Sequence, residues 1–188
     1  MFLLSSAAFA QQPVVGIFYQ FEQEPAALSY QAMVKETRAL LDPAGVSVVW
    51  RKQGENSGAE SFAKVLFVKF TGACKPVLKD TAAEEEEPTV RLGSARVAQG
   101  NVLPVAEINC SEIQRFIAQA PARQRGIALG WAMARVTAHE LYHALLQTTG
   151  HGKSGLAKAV VSAGELLGRS FSFNREELRH FHAAFTPQ

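Results

Sequence analysis

The chain has 188 residues, of which 47% are hydrophobic, and a formal net charge of +2. That is enough for one compact domain with its own core and too short for two comfortable ones. So small a charge excludes the strong field of a nucleic-acid or anionic-membrane binder, and aspartates at only Asp42 and Asp80 argue against an aspartate-based catalytic pair or a calcium loop.

Met1 to Ala10 reads as the tail of a secretory signal: an apolar run ending in Ala8-Phe9-Ala10, an A-x-A-type cleavage site before Gln11. Ten residues cannot span a bilayer, and no other stretch can either. The chain therefore divides into a residual signal peptide, 1–10, and a single domain, 11–188, secreted or periplasmic. Cys74 and Cys110 suit an oxidising compartment and could form one disulfide; the alternative is a pair of buried free thiols.

Val14 to Phe21 is a β-rich apolar run and the expected first strand. Pro25 opens a helical pattern through Leu28, Met33, Leu40 and Leu41, stopped by Asp42-Pro43 and Gly45. Val46 to Trp50 and Lys64 to Phe70 are the next strands, separated by a polar loop from Gln53 to Gly58. Residues 75 to 91, with Pro76, Pro88 and the run Glu84 to Glu87, read as an exposed loop rather than an ion site. Leu92 to Ala98 and Val102 to Ile108 flank Gln99-Gly100-Asn101, a hairpin signal, and Pro104 predicts that the second arm lies at a sheet edge. Ser111 is expected to cap a short helix that turns Ile113, Phe116 and Ile117 inward.

A long helix is expected from about 121–125 to Gln147. Ile127, Trp131, Ala134, Ala138, Leu141 and Leu145 mark its core stripe, and Gly126, Ala128, Gly130 and Ala132 are small enough to let it lie close against the sheet. It carries His139, Glu140 and His143, the pattern H-E-x-x-H. Residues four apart share a helix face about 6 Å along the axis, so both imidazoles can reach one metal ion. Glu140 sits beside that ion without binding it, where a general base for a metal-bound water belongs. Such a neutral-imidazole site with an open position suits Zn²⁺. All five histidines follow residue 138, and His151 waits just past Gly150, a residue that stops helices. A turn through Ala157 is followed by a helical pattern to Glu165, and Asn174 with Glu177 forms a capping box for a last helix, Arg175 to Phe185.

This order of elements ending in H-E-x-x-H resembles the zincin metallopeptidases, the metzincin clan in particular. The resemblance implies an α+β fold: a mixed twisted sheet of about five strands, a backing helix, a long active-site helix and a small helical C-terminal part. It implies zinc held by His139, His143 and His151, with Glu140 as catalytic base. The third histidine lies two residues beyond the metzincin spacing, and Ala157 stands where a methionine turn would place its methionine; none follows Met133. Glu165 competes as third ligand, in the manner of gluzincins, with His180 and His182 behind it. The strand around Val102 to Ile108 would sit above the cleft and pair with an extended substrate, and Tyr142 reads as packing or cleft wall. The function implied is a secreted zinc peptidase acting on proteins or peptides, with no nucleic-acid partner. The alternative is a zincin-fold protein that binds zinc or peptide without cleaving.

Overall fold

The computed structural model describes residues 12–55, 60–77 and 91–185. The signal-like segment and the glutamate run lie outside the described residues. Strand β1 (Val14–Phe21), helix α1 (Ala27–Leu41), β2 (Ser47–Lys52), β3 (Lys64–Thr71), β4 (Gly93–Ala98) and β5 (Asn101–Asn109) fall within a few residues of the positions that apolar periodicity predicts. They build one mixed sheet in the order β2-β1-β3-β5-β4. Its pairings are parallel except that of β4 with β5. Alternation along the strands turns Val15, Ile17, Leu66, Val68, Phe70 and Ile108 into the core, each fully buried.

The hairpin forms as expected. Gln99 (φ 50°) and Gly100 (φ 81°) both take the left-handed conformation that a tight hairpin turn needs at its two central positions. β5, however, is not at the edge: it lies between β3 and β4, and β4 is the outer strand. Pro104 is tolerated inside because its pairing with β3 begins only at Val105 and the β4–β5 register shifts between Ala95 and Val97. The missing N–H therefore falls at an irregularity of the ladder.

Helix α2 (Cys110–Phe116) is capped by Asn109, whose side-chain oxygen accepts from the Glu112 N–H at 3.1 Å. Ser111, expected in that role, instead accepts from the Ala73 N–H at 3.0 Å. One residue of offset frees its hydroxyl to hold the segment after β3, which the Cys74–Cys110 disulfide fastens to the same helix.

Helix α3 (Arg125–Leu146) carries more than one apolar stripe. Leu129, Ala132 and Met133, off the expected stripe, are fully buried, while Ile127 and Trp131 on it are only half-buried. The reason is that α3 is covered by α1 as well as by β3, β4 and β5. Its small residues admit the helix rather than the sheet: a Cβ on Gly130 would lie 2.4 Å from the Ser29 carbonyl oxygen and 2.6 Å from the Ala32 Cβ.

The expected helix through Glu165 shrinks to α4 (Ala163–Leu167), capped by Ser162 and Glu165 in a reciprocal box. The stretch before it stays irregular, with Val160 64% exposed. Helix α5 (Arg175–Phe185) begins at the expected capping box: Asn174 Oδ1 accepts from the Glu177 N–H at 2.9 Å, and Glu177 Oε2 accepts from the Asn174 N–H at 2.7 Å. Among the described residues, no helix is long and apolar enough to cross a membrane.

Candidate metal centre

The last two turns of α3 deliver His139, Glu140 and His143. The helix ends at Gln147, which takes the left-handed cap (φ 53°) that the sequence suggested for Gly150. A non-glycine residue there costs roughly 1 kcal/mol. Gln147 offsets it by donating its side-chain N–H groups to the Val102 and Ala144 carbonyls, both at 2.8 Å. The chain then doubles back, and His151 comes to face the other two imidazoles. The ring centres of His143 and His151 lie 4.7 Å apart, and those of His139 and His151 5.3 Å apart. Among the described residues, these three bring their donor atoms within 4.8 Å of one another.

Main-chain carbonyls orient the two helical histidines. His139 Nδ1 lies 2.8 Å from the Leu156 oxygen, and His143 Nδ1 lies 2.8 Å from the Thr148 oxygen. A carbonyl can only accept, so each Nδ1 carries the proton and each Nε2 is a bare lone pair. The two Nε2 atoms face each other at 3.0 Å. Two lone pairs at that distance repel unless a cation lies between them. Two nitrogens on one tetrahedral zinc would stand about 3.3 Å apart, so the donor set fits that ion.

Burial also favours the neutral form of the two helical imidazoles. It pushes His139 down to about 4, against the pull of the Leu156 carbonyl, and the neighbouring imidazoles add to the shift. Burial lowers His143 as well, opposed by the Thr148 carbonyl. Glu140 moves the other way: burial pushes its carboxyl up to about 7, opposed by a hydrogen bond from the Ala95 N–H and by the charge of Arg91.

Strand β4 therefore reaches the site directly, which sequence reasoning missed. Gly93 makes that approach feasible, since a Cβ there would lie 2.5 Å from Val136 Cγ1 and 2.9 Å from Glu140 Oε1. A glycine opening a strand was the available signal. The cleft, about 580 Å³, runs between Gly93–Ala95 of β4 and the segment from Lys158 to Val161, with Val136, Phe116 and Phe171 among its apolar walls. The edge beside it belongs to β4 and not, as expected, to the strand from Val102 to Ile108.

Glu165 is engaged elsewhere, bonded to Lys158 Nζ at 2.6 Å and to the Ser162 N–H at 2.9 Å. His180 is exposed, and His182 lies 3.2 Å from the Pro43 oxygen. Tyr142 packs against Phe173 and Phe181, the packing role of the two expected for it, and is not among the residues lining the cleft.

No protein-family model matches the chain, and no curated protein matches it either. Among solved structures, archaemetzincin from Methanopyrus kandleri aligns over 95% of this chain and 98% of that one, with a TM-score of 0.55 and 12% sequence identity. The architecture is similar to that of this archaemetzincin. At this identity the likeness speaks for the architecture alone, and it bears out the α+β, metzincin-like layout read from the sequence. Within that architecture, the three imidazoles and Glu140 stand on this chain's own geometry.

Proposed function

We propose that this chain is an exported zinc-dependent peptidase, with His139, His143 and His151 as ligands and Glu140 as general base. The observation that carries the reading is the convergence of three imidazole donors beside a buried carboxyl, at one end of an open cleft. A zinc ion held there supplies Lewis acidity, polarising a carbonyl and making water more acidic.

The chain's own residues would do the rest. Glu140, with its carboxyl near 7, is matched to accept a proton from the attacking water and return it to the leaving amine. Gly93 of β4 lies against that carboxylate, close enough that a Cβ there would stand 2.9 Å from its Oε1. The outer edge of β4 offers unpaired main-chain groups along which an extended peptide can lie, its side chains meeting the apolar walls. The Cys74–Cys110 bridge fits export to an oxidising compartment, in keeping with the A-x-A site at Ala8 to Ala10.

A second reading, a zinc- or peptide-binding protein that does not cleave, is favoured by Ala157 standing where the methionine turn is expected. One experiment separates the two: zinc per chain and cleavage of a mixed peptide library, on the mature wild type and on E140Q, H151A and E165A. The peptidase reading requires one zinc, much weaker in H151A and unchanged in E165A. It also requires cleavage that falls about 10²- to 10⁴-fold in E140Q while its zinc remains. Zinc without cleavage in any form would establish the binding protein; no zinc in any form would refute both.

A further inference from the structure

Beneath the histidines lies a carboxylate that the chemistry above does not use. Glu177, at the start of α5, is 2% exposed. As a capping residue it needs one oxygen, and Oε2 takes the Asn174 N–H at 2.7 Å. Oε1 reaches across instead to the loop after His151, accepting from the Ala157 N–H at 3.1 Å.

The loop is wrapped around this group. A Cβ on Gly152 would lie 3.0 Å from Oε1, and one on Gly155 (φ +80°) would lie 2.5 Å from Oε2. The Gly152 N–H closes the loop onto the Ala157 oxygen at 2.9 Å, one residue past His151. Asn174 Nδ2 holds the Ser154 oxygen at 2.9 Å. One peptide group joins the carboxylate to the site: its N–H, from Ala157, points at Glu177, and its carbonyl, from Leu156, accepts from His139 Nδ1 at 2.8 Å.

We propose that Glu177 is a positioning residue of the three-histidine site, acting on His139 through the Leu156–Ala157 peptide and on His151 through the loop it shapes. The inference rests on the metal reading above. A carboxylate at the N–H polarises the peptide, strengthening its carbonyl as acceptor and the hold on the His139 Nδ1 proton, so Nε2 becomes a better and better-aimed ligand. The helix cap accounts for Oε2 and the Asn174 N–H alone, so the reach of Oε1 to the Ala157 N–H is a contact the cap does not require.

The test is zinc affinity, by competition with a chromophoric chelator, and the visible spectrum of the cobalt(II)-loaded protein, for E177A and E177Q. G130A serves as control, destabilising the α1–α3 contact away from the site. E177A is expected to bind zinc about 10- to 100-fold more weakly and to alter the cobalt spectrum. E177Q keeps the volume but has one acceptor oxygen for two opposed N–H groups, so it loses affinity in part, and it decides the matter if E177A does not fold. G130A lowers the melting temperature and keeps the affinity. In an H151A background, the effect of E177A should shrink. Wild-type zinc affinity and an unchanged cobalt spectrum in both Glu177 variants would overturn this inference and leave the metal reading standing. A wild type that holds no zinc would overturn both.

Discussion

Replacing Gly93 by alanine sets two effects of opposite sign against each other. Within a strand, alanine is ordinarily better than glycine by roughly 0.5–1 kcal/mol, because the unfolded chain has less freedom to lose. Here the new Cβ would stand 2.5 Å from Val136 Cγ1, 2.9 Å from Glu140 Oε1 and 3.2 Å from Ile108 Cδ1. Carbon atoms rest about 3.5–4.0 Å apart, so β4 or α3 must give by about 1 Å. Val136 cannot easily turn aside, because it is 6% exposed and β-branched within a helix. Overpacking of this kind costs about 1–3 kcal/mol and outweighs the gain.

The net loss is then about 1–2 kcal/mol, and at about 2–4 °C per kcal/mol for a chain of this size the G93A variant should melt roughly 2–8 °C below the wild type. G164A is the internal control: nothing lies within 4 Å of its Cβ position in α4, so it should melt no lower than wild type. Thermal unfolding by circular dichroism reads both. If the chain is a peptidase, G93A should also lose turnover, by up to about 10²-fold for an ångström of misplacement at Glu140, while keeping its zinc. A G93A melting point at or above that of wild type would refute the close approach of β4 to α3, and with it the account of how Glu140 is held.

Three further outcomes follow from the site and its supports. In metal-free protein, His139 held down near 4 withdraws stability as pH falls from 6.5, while Glu140 raised to about 7 withdraws it as pH rises from 4.5, so between those values the two slopes oppose. E140Q removes the second slope. Urea titrations should then show wild type gaining on E140Q as pH falls from 7 to 4.5, by at most about 3 kcal/mol; a constant difference would show that Glu140 is not desolvated. The C74S/C110S double variant opens a loop of sequence separation 36 and should lose about 2–4 kcal/mol, read as a lower denaturant midpoint. E165A should keep zinc yet lose about 1 kcal/mol with the α4 cap, and loss of zinc instead would move the third ligand to that residue.

Much of this was legible in the chain because the signals are local. Histidines four apart share a helix face whatever surrounds them, and strands such as Lys64–Thr71 show their period in their own residues. The capping box at Asn174 and Glu177 likewise needs only three residues of spacing. The failures share one cause. Pro104 argued for an edge, but strand order depends on which neighbours arrive, and a shift in register let the proline sit inside. Ser111 and Asn109 are both good caps, and only the position of Ala73 shows why the serine is otherwise occupied.

By itself, then, the sequence determined the kind of site: imidazoles at helical spacing with a glutamate between, in an α+β chain. These are consequences of the helix repeat and of apolar alternation, which are written in neighbouring residues. Which histidine comes to face them depends on tertiary structure, since the chain must reverse at Gln147 and be held by Val102 before His151 can face His139. So were the strand that shields Glu140 and the carboxylate beneath Leu156 and Ala157. Burial shifts and main-chain hydrogen bonds between segments far apart in sequence exist only once those segments pack together.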